Sequence, residues 1–547
     1  MRKHDVPREK RFRMHLVLIA VTLALVAGRI AVVINAEGDA AVLSANDRSR
    51  WASVAALVEH NTFAIDDVIS IRGKRGHQIW DTIDKVRHIG PDGRLHYYSS
   101  KPTLLTTMVA GVYYVVHNAT GISMTEQPIY MPRLLLLLIN VPVMGLFLVT
   151  MMLSIEWSSA SDFAKRLAVL ASCFATMLTP FAISLNNHLF AAAATSLTLY
   201  LYLHVSEKVH DSFGGVTYRP RFWPWVTAGS AAAFAVACEL PALSMFVLWL
   251  VLFGVLIPRS IPGFLVGATV VAVGIFGTNY WAHQSWRTPY AHRGTGDVVA
   301  EFEWLKDSAL TAPEAESALT AELATLDVFS AAESIKARTL QSGGYEILAE
   351  FAEGGEQRQQ QWKVQPQSHA GSSSAWAVAK WDDWYDYPGS YWRTGKRRGV
   401  DLGEASRGIY AFNATLGTYG IFSLTPIWLL MPLGLMYKCA NGPRDRRYLA
   451  SAIALVTVVC FAFYIARPEI DRNYGGVSVC FRWMLWLAPL WIYAIIPELN
   501  EMSESRGGRC LAIALLAASV FSVSTSLDSP WQSPWLYRFA SFLGWLS

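Results

Sequence analysis

The sequence is poor in charge and in cysteine, and these shortages exclude several classes of protein. Asp, Glu, Lys and Arg make up 16% of the 547 residues, and the net charge is only +4. The basic residues lie in short segments between apolar runs instead of forming one basic face, which argues against nucleic acid as a partner. The six cysteines include no CxxC spacing, so neither a disulfide framework nor a zinc site is indicated.

Long apolar runs, by contrast, are abundant. Hydrophobic residues account for 53% of the chain, and many runs are long enough to cross a bilayer, which predicts an integral membrane protein. The first run, Met14 to Ala36, is too long for a signal-peptide core and predicts an uncleaved helix with a cytoplasmic N-terminus. Further spans are predicted near residues 131–155, 165–183, 188–205, 223–238, 241–257, 263–280, 418–438, 447–465, 481–497 and 508–524. The run from Trp223 to Leu256 is too long for one crossing and is divided at Glu239-Leu240-Pro241.

The topology depends on one short apolar segment, Thr103 to Val116. If this segment lies on the outer surface, the basic loops all fall inside; if it crosses, they all fall outside. The surface position is therefore predicted, giving about eleven spans in a multi-pass protein of the cytoplasmic membrane. The basic loop residues are Lys165, Arg166, Lys208, Arg219, Arg221, Arg259, Lys438, Arg444, Arg446, Arg447, Arg506 and Arg509.

This topology divides the chain into three predicted modules. Residues 1–280 form an N-terminal transmembrane module with a long outer loop at 37–130, residues 281–417 an extracytoplasmic domain, and residues 418–547 a C-terminal transmembrane module. The fold class is thus an α-helical polytopic membrane protein with amphipathic surface helices in the first outer loop and a mixed α/β outer domain.

Two segments of the outer domain have a distinctive composition. An Ala/Glu-rich stretch near 314–339 predicts a helix. The stretch WDDWYDYPGSYW at 381–392 interleaves aromatic residues with Asp, an arrangement that can stack on sugar rings and bond their hydroxyls. Aromatic residues that anchor the domain at the lipid surface would give the same pattern, and the sequence leaves both interpretations open.

An acid and a lysine in the first outer loop are candidates for catalysis. Asp47 lies at the start of a segment whose residues Trp51, Val54, Ala55 and Val58 recur at helical spacing, which predicts an amphipathic helix lying on the membrane. The alternative for Asp47 is a capping box, three positions after Ser44. The alternative for Lys101 is a lysine whose ammonium reaches the interface from the start of a surface helix.

Two blocks of this loop resemble the GT-C superfamily of polytopic glycosyltransferases, in particular its protein O-mannosyltransferase and aminoarabinose lipid A transferase branch. The blocks are NDRSRWASVAALVEHNTFAID at 46–66 and YYSSKPTLL at 97–105. The resemblance implies transfer of a sugar from a polyprenyl-phosphate donor to an acceptor hydroxyl on a lipid, glycan or protein, with inversion. Asp47 would be the general base, and Arg50, Tyr98 and Lys101 would bind substrate.

The second outer loop departs from the family pattern. Where the family commonly presents an acid, this chain has SLNNHLF at 184–190. Asn187 and His188 can still bond a sugar or help to hold a divalent cation, but without a carboxylate no metal site is predicted; the alternative is a polar cap on a helix hairpin. Glu239, an acid near the membrane boundary, is either a substrate ligand or a cap of its own hairpin.

The last outer loop carries arginines on the side where short loops usually avoid them. Arg472 and Arg482 are suited to clamping a lipid-linked phosphate through paired hydrogen bonds, as is a basic residue near this point in related enzymes. Ion pairs of Arg467 or Arg472 with Glu469 or Asp471 are the structural alternative. Another arginine, Arg29, lies deep in the first span and is expected to reach outward or to pair with an acid.

Two other functions fit the same composition. A transporter or flippase of lipid-linked saccharide would share the apolar bulk and the phosphate-binding arginines, but should have charges at mid-membrane depth and paired broken helices. A non-catalytic membrane scaffold would need no base at Asp47. The sequence identifies neither the donor sugar nor the acceptor.

Overall fold

The computed structural model describes residues 8–211, 221–304, 310–340, 343–367, 375–393 and 395–546. Arg219, one of the loop residues used to predict the topology, lies outside these ranges. The chain forms two compact units, of which the first comprises residues 1–47, 111–275 and 398–547 and the second residues 48–110 and 276–397. The predicted three-module division follows the order of the chain and stays a prediction.

Six of the described helices are long and apolar enough to cross a membrane. They are Arg8–Val32, Tyr130–Glu156, Asn187–His210, Ser260–His283, Arg444–Ala466 and Arg506–Ser524. Three shorter apolar stretches of 10–17 residues are Trp223–Cys238, Leu240–Leu256 and Pro426–Ala440. The division at Glu239-Leu240-Pro241 is confirmed, because a 3-10 turn at Leu240–Ala242 separates the helices Trp223–Cys238 and Leu243–Leu256. The count of eleven spans and the orientation of the N-terminus stay predictions.

Three predicted spans are broken helices, and each break lies near a proline. The segment predicted at 165–183 divides into Asp162–Phe174 and Leu178–Phe181. The segment at 418–438 divides into Ile421–Leu424, a 3-10 turn Pro426–Leu429 and Leu430–Ala440. The segment at 481–497 begins as the 3-10 helix Arg482–Leu487 and continues as Ala488–Met502. Pro180, Pro426 and Pro489 each lie in the first turn of the helix that follows the break. Each lacks the N–H that would bond back to the preceding helix, so a new helix begins there instead.

Within the first unit, small residues allow close helix contact. A Cβ built on Gly229 would lie 1.9 Å from the carbonyl oxygen of Phe264, and one built on Gly434 would lie 2.0 Å from that of Ala494. Glycine at these positions lets helix backbones approach directly, which is the usual way membrane helices gain packing contacts. Arg29 pairs with Asp528 and donates to the carbonyl of Leu527 at 3.1 Å, as expected for an arginine in a span. The remaining helices of this unit are Arg407–Thr415 and Trp535–Phe542, with 3-10 turns at Gly399–Leu402 and Glu469–Asp471.

The described residues of the second unit form seven strands in two antiparallel sheets. A hairpin joins β1 (Lys85–Ile89) to β2 (Leu95–Ser99). The larger sheet has the order β3-β7-β6-β5-β4. Its strands are β3 (Arg293–Glu303), β4 (Ala332–Thr339), β5 (Tyr345–Glu353), β6 (Glu356–Pro366) and β7 (Ala375–Asp383). Nη2 of Arg87 in β1 donates to Glu346 of β5 at 2.8 Å, and Arg338 of β4 pairs with the same carboxylate.

The helix predicted over 314–339 is wrong in its second half. A helix extends over Ala312–Leu323 only, and its residues Leu319 and Leu323 belong to the same hydrophobic core as Trp362 and Val364 of the sheet. Residues 332–339 form β4 instead, paired with β5. Ala, Glu, Lys and Arg favour a helix locally, but the backbone hydrogen bonds to a neighbouring strand override that preference.

Both interpretations of the aromatic stretch at 381–392 are wrong for its central residues. Trp384, Tyr385 and Tyr387 are buried, with at most 7% of their surfaces exposed. Trp384 and Tyr385 belong to a hydrophobic core with Phe63 and Val86. These rings therefore fill the interior of the second unit, where they contact neither sugar nor lipid.

The first outer loop forms its predicted helices, but one of them has a different environment. The helix Ala45–Glu59 exists, yet Trp51, Ala52, Val54 and Ala55 are fully buried, and so are the polar residues Ser49 and Ser53 on other faces. The amphipathic surface position is thus wrong, because polar side chains here bond inside the protein instead of facing water. A short helix, Asp66–Ser70, follows. The helix Thr103–Thr120 is longer than predicted, and its position at the membrane surface stays a prediction.

Candidate functional site

Asp47 is held by the backbone at the start of its helix. Its carboxylate accepts hydrogen bonds from the N–H groups of Leu43 at 2.9 Å and Ser44 at 2.7 Å. The hydroxyl of Ser44 in turn accepts from the N–H of Asp47 at 3.2 Å, which completes a capping box. Asp47 is 1% exposed. The capping alternative is therefore confirmed, and any catalytic role would be added to it.

Lys101 is buried and paired, so the interfacial-lysine alternative is wrong. Its Nζ lies 2.8 Å from Oδ2 of Asp84, with both side chains largely shielded. The backbone carbonyl of Asp84 accepts from the hydroxyls of Ser49 at 2.6 Å and Ser100 at 3.0 Å. A lysine is buried in its charged form only when an opposite charge compensates it, and Asp84 supplies that charge.

The other two candidates from the first outer loop are also internal. Tyr98 is 2% exposed and stacks on His88 with the ring centroids 4.2 Å apart. Burial raises the pKa of the Tyr98 phenol above its ordinary value, so this group stays protonated. Arg50, on the helix Ala45–Glu59, is 2% exposed. In this state neither presents an open surface to a substrate.

The carboxylate of Glu239 lies against the polar residues of the second outer loop. Nδ2 of Asn187 donates to Oε1 of Glu239 at 2.7 Å and to the carbonyl of Cys238 at 2.8 Å. Nδ1 of His188 pairs with the same Oε1. His188 and Glu239 are 0% and 5% exposed. The loop itself has no carboxylate, as its sequence indicates, but Glu239, 51 positions after His188, supplies one to the same cluster.

His188 joins this cluster to Arg482. Nη1 of Arg482 donates to Nε2 of His188 at 2.8 Å, and its Nε donates to the carbonyl of Gly475 at 2.6 Å. Because arginine can only donate, Nε2 of His188 accepts, and the hydrogen on Nδ1 faces the carboxylate of Glu239. The guanidinium also lies 4.8 Å from the ring centre of Trp531. Arg482 is thus fixed from three directions in a buried position.

Gly475 makes room for Arg482. Its φ is +99°, a conformation that favours glycine, and a Cβ there would lie 2.4 Å from Nε of Arg482. The pair Gly475-Gly476 therefore shapes the loop around the guanidinium.

The remaining arginines of the last outer loop separate into two environments. Arg467 pairs with Asp471 at 3.2 Å, which confirms the structural alternative for that residue. Arg472 instead donates to the carbonyl of Ala405 at 2.8 Å and is 7% exposed. The structure brings Arg482, His188, Asn187 and Glu239 together. Of the described residues, no group of three or more His, Cys, Asp or Glu side chains has an arrangement that could hold a metal ion.

Sequence reasoning missed three residues of these sites. Asp84 had no local signal, because it lies 17 positions before Lys101 and the burial of that lysine was not predicted. Gly475 had a signal, in a Gly-Gly pair seven residues before an arginine. Trp531 had none, since it lies 49 positions after Arg482 among other tryptophans.

Searches against family models and against curated proteins find no match to this chain. The structure is similar to three solved structures of the oligosaccharyltransferase from the archaeon Archaeoglobus fulgidus: the apo form, a form tethered to an acceptor peptide, and a complex with an inhibitory peptide and a dolichol-phosphate. The TM-score is 0.42 in each case, with sequence identities of 10%, 11% and 13%. The match covers 97% of this chain and 57% of the archaeal protein, so the chain spans little more than half of that protein's length.

Proposed function

We propose that this protein is a membrane glycosyltransferase that moves a sugar from a polyprenyl-phosphate donor to an acceptor hydroxyl on the extracytoplasmic side, with inversion. The observation that carries the proposal is the fixed guanidinium of Arg482. It is largely buried and held by His188, Gly475 and Trp531 at the start of the 3-10 helix Arg482–Leu487. A cation oriented in advance is the arrangement that stabilises charge developing on a leaving group.

The leaving group in this reaction is a lipid phosphate, which departs as an anion and needs no acid. Arg482, with Arg472, is proposed to stabilise that charge, and Lys101 keeps the substrate-binding role predicted for it from the sequence. Each well-placed donor contributes about 3 to 4 kcal/mol to such a transition state. Three neighbours act through Arg482: His188, Asn187 and Glu239. Glu239 fixes the tautomer of His188, and His188 fixes the orientation of the guanidinium.

Asp47 is proposed as the general base that takes the proton of the acceptor hydroxyl. The N–H groups of Leu43 and Ser44 orient its carboxylate, so its direction does not depend on substrate. A positioned general base contributes about 10²- to 10⁴-fold to rate. Arg50 and Tyr98 are proposed to support the first outer loop around the substrate. A divalent cation is not required by this scheme.

The test is transfer of radiolabelled sugar from a panel of polyprenyl-phosphate donors into lipid, protein and glycan acceptors by purified protein in detergent. Wild type should transfer label from at least one donor, and transfer by Asp47→Asn should be about 10²- to 10⁴-fold slower while the variant elutes as the same folded species. Equal transfer by both would remove Asp47 as the base. No transfer by wild type with any donor, together with movement of the lipid across vesicle bilayers, would favour a flippase; neither activity would favour a scaffold.

A further inference from the structure

The second unit contains a small cavity whose lining includes Lys101 and Tyr98, together with residues that have no role in the proposed reaction. Its volume is about 10 Å³, which is room for about one water molecule. Besides two aromatic rings, its wall presents one imidazole, one ammonium and four hydroxyls, from His283, Lys101, Ser53, Ser99, Thr103 and Thr106. Such a wall suits a small polar occupant.

The proton positions on the neighbouring histidines follow from their hydrogen bonds. Nδ1 of His88 lies 2.9 Å from the carbonyl oxygen of Ile89, so it must carry the hydrogen that the oxygen accepts. Nε2 of His88 is then an acceptor, since burial lowers the pKa of this imidazole to about 3 and keeps it neutral. Nε2 of His88 lies 3.0 Å from Nδ1 of His283, which therefore donates to it. The remaining nitrogen of a neutral His283, Nε2, is left with a lone pair.

That lone pair has no protein partner. His283 is 4% exposed, and within the described part of the chain its buried Nε2 has no hydrogen-bond partner. A buried acceptor without a donor destabilises the fold. A ligand that brings a hydrogen to this nitrogen removes that cost.

Lys101 adds a second requirement for the molecule that occupies the cavity. Its ammonium has three N–H donors, and the ion pair with Asp84 uses one of them. An occupant of the cavity should therefore accept from Lys101 while donating to His283. An anionic phosphate oxygen can only accept, and its charge would face the lone pair of Nε2. A neutral O–H group meets both requirements.

We propose that this cavity binds one neutral hydroxyl oxygen, which donates its hydrogen to Nε2 of His283 and accepts one from Nζ of Lys101. Water supplies this oxygen in the free protein. A hydroxyl of a bound sugar offers the same chemistry, and this second source rests on the proposed function. The cavity thereby links Lys101 to a site that selects O–H and rejects an oxyanion.

The experiment is ¹⁵N NMR of the full chain labelled at histidine, in detergent micelles, without addition, with inorganic phosphate, and with a polyprenyl-phosphate sugar. His283 is assigned by the signals that disappear in His283→Gln. His292, which bonds to Asp382 and Ser285, gives an internal reference for a fully partnered ring. We expect a neutral His283 whose unprotonated nitrogen shows the shift of a hydrogen-bonded acceptor, unchanged by phosphate.

The three conditions separate the two oxygen sources. A shift that is the same in all of them supports water, and one that changes only with the sugar lipid supports a sugar hydroxyl. An imidazolium signal, or the signal of a bare lone pair, would overturn the proposal. If His283→Gln does not fold, density for an ordered oxygen within hydrogen-bond distance of Nε2 and Nζ in an experimental map of wild type decides the matter, and an empty cavity overturns it. Neither readout depends on turnover, so an inactive protein would still report the site.

Discussion

Nζ of Lys101 and Oδ2 of Asp84 are 2.8 Å apart and share a largely buried position. Removing one partner leaves an uncompensated charge inside the protein. We expect Asp84→Leu to lower the free energy of unfolding by about 3 to 5 kcal/mol, whereas the double variant Asp84→Leu with Lys101→Met should be close to wild type. Thermal unfolding of both in the same detergent measures the difference. Equal losses in the single and double variants would show that the pair does not interact.

The capping role of Asp47 and its proposed catalytic role can be separated with a second capping box. Thr311 and Glu314 form the same arrangement at the start of the helix Ala312–Leu323, where Glu314 accepts from the N–H of Thr311 at 2.8 Å. Asp47→Asn and Glu314→Gln each replace a capping carboxylate. We expect transfer to fall about 10²- to 10⁴-fold in Asp47→Asn and to be unchanged in Glu314→Gln. Similar transfer rates in the two variants would leave Asp47 as a cap only.

The chain from Glu239 through His188 to Arg482 predicts a graded series of defects. Arg482→Ala should lower the rate of transfer about 10²- to 10³-fold, because it removes a fixed donor. Glu239→Gln keeps an oxygen facing Nδ1 of His188, so its rate of transfer should be close to that of wild type. Glu239→Leu removes that oxygen, so His188 and the guanidinium of Arg482 are no longer held in position.

The readout for this series is kcat measured separately from KM for the donor. A positioning role for Glu239 predicts that Glu239→Leu lowers kcat and that Glu239→Gln restores it. If Glu239→Gln is as defective as Glu239→Leu, the negative charge itself matters and Glu239 acts directly on a ligand.

His96 gives the second unit a pH-dependent contact. Its Nε2 bonds to Asp92 at 2.8 Å and its Nδ1 to Asp66 at 3.2 Å. Partial desolvation lowers the pKa of His96, but the two acids outweigh it, so the net pKa shift of His96 is upward. Desolvation raises the pKa of Asp92, but the hydrogen bond from His96 outweighs it, so the net pKa shift of Asp92 is downward. Because the pKa of His96 is higher in the folded state, this group stabilises the fold below about pH 6.5, and the effect is lost as the pH rises through its folded-state pKa. Because the pKa of Asp92 is lower in the folded state, this group stabilises the fold above about pH 4.

The contact between His96 and the two acids should therefore stabilise the fold most between about pH 4 and pH 6.5. Because the side chains are partly exposed, we expect at most about 1 kcal/mol. Unfolding of wild type and His96→Gln at pH 5.5 and pH 8.5 measures it. The variant should lose stability at pH 5.5 and match wild type at pH 8.5, and a uniform loss at both would exclude a charge effect.

Local patterns in the sequence predicted what depends on neighbours along the chain. The break at Glu239-Pro241 follows from the length of an apolar run and from one proline, and the Asp47 capping box follows from three residues. Contacts between distant residues had no such signal. His188 and Arg482 are 294 positions apart, and only the folded packing of their loops brings them within 2.8 Å. The strand at 332–339 was missed for the same reason, since its partner Tyr345–Glu353 decides its conformation.

The bond between Arg87 and Glu346 joins residues that are 259 positions apart in the chain. At synthesis rates of about 5–20 residues per second, Arg87 leaves the ribosome roughly 13 to 50 seconds before its partner exists. During this time the hairpin β1–β2 has no five-stranded sheet to pack against, while the helices of residues 111–275 are inserted into the membrane. The second unit therefore depends on the order of membrane insertion, and a delay in any intervening span exposes its aromatic core residues to aggregation.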